Sequence, residues 1–333
     1  MQNSKTRVLV IGSNSFSGSD FIDLLLEKGI YTVIGMSRSP EKNPLFLPYK
    51  RHLKANFSFY QLDLNKDLSI ILKVIDRYKP EYIINFAAQS EVAPSWENPG
   101  QWFLTNAVAI TELASALRTC SFLKRYVHIS SPEVYGTCTG TVREDAPLNP
   151  STPYAASKAA GDLSLFTFYK NYNFPLVVIR STNVYGAHQQ LFKIIPRSVI
   201  YIKQGRVIEL HGSGRAVKSY IHIRDISRGE LAAMEKGHPG EIYHLSPKKG
   251  IAVRDVVRII CDRIGVPFDA ATISVGERLG QDAAYIIDSG KAMQEFQWFP
   301  EITIEKGLDE VIRWIDDNWS ELQKESLEYV HKS

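Results

Sequence analysis

Apolar residues in this chain fall into short unbroken runs, separated by stretches where they recur every three or four positions. The runs at 7–11, 31–36, 58–62, 82–86, 126–129 and 176–180 predict strands covered on both faces, because such strands carry no polar alternation. The longer repeats at 17–28, 68–78, 102–119 and 154–172 predict helices. Strands alternating with helices argue for an α/β fold with a parallel, doubly wound sheet. After Gly186 the rhythm breaks, with more frequent Pro and Gly and shorter elements. We therefore expect a first domain at 1–186 and a smaller α/β lobe at 187–330, with the chain crossing between them more than once. Open sheets of this kind bind ligands at their strand ends.

Composition adds bounds. The 333 residues are 44% hydrophobic and 23% charged, as expected of a soluble globular protein. A net charge of +3 gives no basis for nucleic-acid binding. No run of about eighteen apolar residues marks a membrane span. The start, MQNSKTRVLVIG, is too short in apolar residues for a secretory leader. Cys120, Cys138 and Cys261 form no CxxC pair and no metal-ligand spacing, which suits a reducing compartment. The expectation is a soluble, cytoplasmic protein without a metal.

The stretch VLVIGSNSFSGSDFIDLLLEKG reads strand, turn, helix. Gly12, Ser15 and Gly18 hold a GxxGxxG spacing, with Ser15 in place of the usual middle glycine. Such a loop, with Asn14 and Phe16, can present backbone N–H groups to a pyrophosphate at a helix N-terminus. Directly after the first strand, it predicts a Rossmann-type dinucleotide site. NAD sites commonly carry an acid after the second strand. Here VIGMSRSPEK offers Ser37, Arg38 and Ser39 instead, which suits a 2′-phosphate. NADP(H) is favoured, with NAD(H) the alternative. Asp63 is a candidate for the adenine and equally a candidate helix cap.

NPSTPYAASKAAGDL places Tyr154 and Lys158 four apart on one helical face, after a Thr152–Pro153 start signal. A lysine there can hold a nicotinamide ribose and lower the phenol pKa, so that the tyrosinate acts as base toward a sugar hydroxyl.

With these motifs the chain resembles an extended short-chain dehydrogenase/reductase of the NAD(P)-dependent nucleotide-sugar epimerase/dehydratase family. NFAAQSEV is similar to the loop that passes the nicotinamide, which implies cofactor contacts from Ala87, Ala88 and Gln89. SWENPGQWFLTNAVAITELASALR is similar to the helix that follows, with Asn106, and Leu64 accompanies Asp63 in the same role. RSTNVYGAHQ resembles a substrate segment, with Ala187 where Pro is usual. ELHGSGRAVKSYIHIRD resembles the nucleotide-clamping hairpin, but carries Ser213, Lys218 and Ser219 in place of Asp, Arg and Asp. ERLGQDAAYIIDSGKAMQEFQWFP resembles the C-terminal signature.

The resemblance implies a tightly bound, recycled cofactor and a homodimer through a four-helix bundle. It also implies substrate contacts at Asn183, with Arg278 gripping a diphosphate. Lys193, Arg197, Arg215 and Lys218 add positive charge around the same expected site; the bland reading of Lys193, Arg197 and Arg215 is solvated surface. Gln89 and Ser90 can touch the sugar or cap a strand end.

VHISSPEVYGT answers to the 4,6-dehydratase triplet Thr-Asp-Glu or Thr-Ser-Glu with Ser131, Pro132 and Glu133. The resemblance implies that Ser131 bonds the C4 oxygen beside Tyr154. Glu133 then removes the C5 proton and assists loss of water from C6, before hydride returns to C6. Pro132 cannot supply the acid that dTDP-glucose 4,6-dehydratases use. That and the SRS loop lean toward the GDP-sugar branch. A nucleotide-sugar 4-epimerase, a UDP-glucuronate decarboxylase-like enzyme and a non-catalytic cofactor-binding sensor are the rival readings; intact Ser131, Tyr154 and Lys158 speak against the last.

Overall fold

Thr6–Ile11 forms β1, and its side chains divide by parity: Val8 and Val10 enter one core, Leu9 and Ile11 another. That is the period-two signature of a strand covered on both faces. The computed structural model describes residues 5–52, 56–137, 140–276 and 286–332. The elements that follow are α1 (Phe16–Lys28), β2 (Tyr31–Ser37), β3 (Phe57–Gln61), α2 (Leu68–Tyr78), β4 (Tyr82–Asn85), α3 (Val92–Glu97) and α4 (Pro99–Phe103). After a π-helical segment (Leu104–Ala109) come α5 (Ile110–Leu117), β5 (Arg125–Ile129), β6 (Thr141–Val142), α6 (Pro153–Tyr172) and β7 (Leu176–Ser181). The remainder comprises β8 (Asn183–Tyr185), α7 (Ile194–Lys203), β9 (Ile208–His211), β10 (Val217–Lys218), β11 (Tyr220–His222), α8 (Ile223–Lys236), β12 (Glu241–Leu245), β13 (Ile251–Ala252), α9 (Val253–Ile264), α10 (Phe268–Ala271), β14 (Thr272–Val275), β15 (Ile286–Ile287), α11 (Gly290–Phe296), α12 (Ile304–Asp317) and α13 (Trp319–Leu322).

Seven parallel strands make the main sheet in the order β12-β7-β5-β4-β1-β2-β3. The winding direction reverses between β1 and β4, which opens a crevice at their C-terminal ends. α1 and α8 pack on one face; α2, α5 and α6 cover the other. A third core, built from Leu191, Val199, Ile260, Leu308 and Trp314, holds the smaller lobe together. β12 comes from beyond residue 186 yet pairs with β7 in the main sheet.

The predicted strands and helices appear within a residue or two, with one physical departure. The stretch at 102–119 is not a uniform α-helix: Leu104–Ala109 widens to π geometry. Such bulges often sit at functional sites. Here the bulge carries Asn106, which is buried and facing α6. α6 approaches it at Gly161, where a Cβ would lie 2.2 Å from the Asn106 carbonyl oxygen. Gly161→Ala must push the helices apart. We expect it to cost roughly 1–3 kcal/mol, read as a lowered urea midpoint; an unchanged midpoint would show that this approach is not tight.

Candidate active site

The first βα turn is shaped for an anion. Gly12 sits at φ +86°, and a Cβ there would lie 2.7 Å from the Ala87 nitrogen. Only glycine lets this turn lie against the β4 loop. Ser15, in the position of the missing glycine, is the N-cap of α1: its hydroxyl accepts from Gly18 N at 3.0 Å. The cap leaves Phe16 and Ser17 at the helix start, both lining a cavity of about 380 Å³. These residues fit the pyrophosphate of a dinucleotide.

Asn14 is bonded within the protein. Its amide donates to Ser39 O at 2.9 Å and Pro40 O at 2.8 Å, while its backbone N donates to the Ser37 hydroxyl at 2.9 Å. Asn14 and the buried Ser37 thus tie the phosphate loop to the loop after β2. Arg38 is half-buried beside them, and its guanidinium donates to Lys332 O at 2.8 Å. Asp63 does not cap α2, whose N-cap is Asp67; its carboxylate accepts from Asn65 N at 2.9 Å, a local turn. Leu64 is buried in the core beneath it.

The β4 loop is fixed by Asn106. Its Oδ1 accepts from Gln89 N at 2.9 Å, and its Nδ2 donates to Gln89 O at 2.9 Å and Ser157 Oγ at 3.0 Å. One side chain thereby locks the loop carrying Ala87, Ala88, Gln89 and Ser90 to α6. Ala88 and Ser90 line the cavity; Gln89 is buried, and its side chain donates to Lys332 O at 2.9 Å.

α6 begins as the sequence signals. The Thr152 hydroxyl accepts from Ala155 N at 3.1 Å, and Pro153 opens the helix. Tyr154 and Lys158 are buried on the face that meets Ser131 and Glu133 in the same cavity. Ser131 caps the short turn Pro132–Tyr135, accepting from Glu133 N at 3.2 Å, and its side chain also bonds the Tyr154 phenol. Pro132 sits in the first turn of this 3-10 helix, where its fixed φ helps aim Glu133. Burial first, and then the charge of Glu133, raise the Tyr154 pKa; the Ser131 hydrogen bond opposes them. The expectation of a phenol lowered by Lys158 is therefore corrected for the protein's own residues: desolvation wins. Lys158 donates to Ile129 O at 2.7 Å and is itself pushed down to about 8, chiefly by burial, with Asp162 opposing and Arg180 adding.

Behind the pair lies a buried network. Asp162 Oδ2 accepts from Ser130 Oγ and from Arg180, both at 2.7 Å. Arg180 also donates to the Tyr135 hydroxyl, which meets His244 Nε2 at 2.7 Å. Burial, and secondarily Arg180, push His244 down to about 3, so it is neutral. Asp162 stands one helical turn beyond Lys158, so the spacing Tyr154, Lys158, Asp162 could have announced it; Arg180 and His244 carry no such signal.

On the substrate side the cavity gathers Asn183, Lys193, Gln189 and Tyr220. Lys193 is paired with Glu91 at 2.7 Å, a carboxylate that the sequence reading passed over. Arg197 lies beside the Tyr201 ring on α7, and Lys218 lies in β10; neither lines this cavity. Arg278 lies outside the described residues. Among the described residues no helix is long and apolar enough to cross a membrane.

Comparison with known proteins now adds to the geometry. Residues 9–311 match the family model described as GDP-mannose 4,6 dehydratase. The chain belongs to that family. A dTDP-glucose 4,6-dehydratase of Streptomyces antibioticus is 32% identical over 73% of this chain and 73% of its own length. In solved structures, DesIV, a dTDP-glucose 4,6-dehydratase from Streptomyces venezuelae with NAD and TYD bound, is 28% identical. It superposes with a TM-score of 0.87 over 95% of this chain and 98% of its own. A UDP-glucuronic acid 4-epimerase from Bacillus cereus, with UDP-glucuronic acid and NAD, gives 25% and 0.85 over 94% and 99%.

α6 is tied to β7 by the Asp162–Arg180 pair. Asp162→Asn removes the charge that keeps Lys158 protonated, so the Lys158 pKa should fall further below about 8. The alkaline limb of the pH–rate profile should move to lower pH. Stability should drop by about 3–5 kcal/mol as Arg180 loses its partner. A destabilised variant with an unmoved alkaline limb would confine Asp162 to holding the fold.

Proposed function

We propose that this protein is an NAD(P)-dependent nucleotide-sugar 4,6-dehydratase that makes a 4-keto-6-deoxy sugar. One observation carries the reading: the Glu133 carboxylate shares a cavity with Ser131, Tyr154 and Lys158. Oxidation at C4 needs a base on the C4 hydroxyl, and we assign that part to Tyr154, a reading that its bond to Ser131 supports. A C4 ketone acidifies the C5 proton, which gives a neighbouring carboxylate a proton to take. Glu133 is that carboxylate, and it passes the proton to the C6 hydroxyl, which leaves as water; return of the hydride to C6 and of a proton to C5 completes the 4-keto-6-deoxy sugar. A bound nicotinamide dinucleotide supplies the hydride acceptor and donor and, when oxidised, a positive ring. The Phe16–Ser17 helix start, the Gly12 turn and Lys158 are the residues that would hold it.

Arg38 with Ser39 supports a phosphorylated cofactor, since no acid stands at the end of β2 for a ribose hydroxyl. Pro132 and the SRS loop support a GDP-sugar, whereas the two dehydratases named above are dTDP-glucose enzymes. Lys193 and Asn183 remain the proposed substrate contacts. A 4-epimerase is the second reading, favoured by the likeness to the Bacillus cereus structure; it leaves Glu133 without a task. The free thiols Cys120 and Cys261 suit a cytoplasmic setting.

Mass spectrometry after incubation with GDP, UDP, dTDP and CDP sugars tests the proposal. Loss of one water from one substrate is expected; an unchanged mass with altered retention would indicate epimerisation. Glu133→Gln should keep cofactor binding and lower turnover by roughly two to four decades. Unchanged turnover would refute the role given to Glu133.

We also propose a homodimer through the 99–117 and 153–172 helices. Phe103, Leu104, Val108 and Leu163 lie exposed there, Leu163 at 59%, as an apolar face without a partner in the single chain. Leu163→Glu should turn a dimer into a monomer in light scattering; a wild-type monomer at micromolar concentration would count against the dimer.

A further inference from the structure

Beyond α13 the chain does not simply trail off. Residues 325–332 form an irregular strap that touches both lobes. Glu325 accepts from the Asn43 amide at 3.0 Å. Tyr329 packs edge-on to Phe192 at the start of the substrate lobe, with ring centroids 5.4 Å apart. His331 stacks on Trp102 at 5.1 Å and 16°, and its Nε2 meets Gln101 Oε1 at 2.6 Å. The Lys332 carbonyl oxygen then accepts from Gln89 and Arg38 together, at 2.9 and 2.8 Å. Those two residues come from the loops after β4 and β2, on either side of β1 in the sheet. The strap is therefore laid across the crevice where the winding reverses.

Its charge is as informative as its path. Arg38 and Lys332 are joined through the backbone carbonyl, and Lys42 stands nearby on the same loop as Arg38. Lys42 is accessible to water, yet the protein around its ammonium, and then the like charge of Lys332, lower its pKa. Among the described residues none of the three cations has a carboxylate within 4.0 Å. Three unpaired cations gathered at one loop repel one another unless an anion joins them. The single carbonyl takes only one of the five N–H donors of Arg38, so the guanidinium can still fork onto phosphate oxygens.

We propose that residues 325–332 are an outer wall of the cofactor site, and that Lys332 joins Arg38 and Lys42 in taking the 2′-phosphate of a phosphorylated nicotinamide dinucleotide. The inference rests on the phosphorylated-cofactor reading of Arg38. It also gives the strap a use in the reaction cycle. Hydride leaves the sugar and returns to it, so the cofactor need not depart, and a wall tied to both lobes slows its exchange.

Equilibrium titration and stopped-flow dissociation with NADP and NAD test this on three proteins: the full chain, Lys332→Met, and a chain ended after Lys324. Lys332→Met should weaken NADP about tenfold and NAD less than about twofold, the loss of one charge-assisted contact. The shortened chain should bind both more weakly and release them faster. Equal effects of Lys332→Met on the two cofactors, or none, would overturn the role of Lys332. Tighter binding by the shortened chain would mean that the strap competes with the cofactor and would overturn the wall. A full chain that prefers NAD would instead refute the reading of Arg38, whatever the shortened chain does.

Discussion

A charge pair with almost no access to water anchors the candidate site. Asp162 on α6 and Arg180 on β7 have given up solvent, and each is tolerable only because the other is there. The pair does more than join a helix to a strand. Through Ser130 it fixes the end of β5, where the turn bearing Ser131 and Glu133 begins. Through its field it bears on the protonation of Lys158 one turn away. Tyr135 and His244 continue the chain of contacts into β12, so the candidate site is braced by strands far apart in sequence.

The second constraint is steric. Gly12 and Gly161 each sit where a methyl group would collide with backbone. One lets the phosphate loop lie against the β4 loop; the other lets α6 meet the π-helical segment. Asn106, held between them, satisfies both polar groups of Gln89 with one amide. Close backbone approach and hydrogen-bond pairing here are one arrangement, since neither geometry survives without the other.

Much of the fold was legible because buried parallel strands announce themselves as apolar runs and because Thr152–Pro153 and the Gly12 loop use standard local chemistry. Tyr154 and Lys158 are legible as a spacing on one helix, Ser131 and Glu133 through the family resemblance of one turn. The bonds that Asn14 and Ser37 make to each other's loop, more than twenty positions away, and the local turn at Asp63 are competitions that spacing does not reveal. Glu91 was missed because its meaning comes from Lys193, about a hundred positions later. The π segment was hidden because its residues keep ordinary helical composition. The strap was hidden because 325–332 has no periodicity; only the folded path gives it neighbours.

The pairing of β12 with β7 carries a consequence for how this molecule can be divided. The strand beside β7 arrives only after the chain has passed through β8, α7, β11 and α8. A fragment ending near residue 186 would leave the backbone of Leu176–Ser181 as a naked sheet edge, with Tyr243 and Leu245 missing from the core against it. The first half is thus not a detachable module onto which any second lobe can be grafted. α8 and β12 must stay in place for the first half to keep its core and its sheet edge covered.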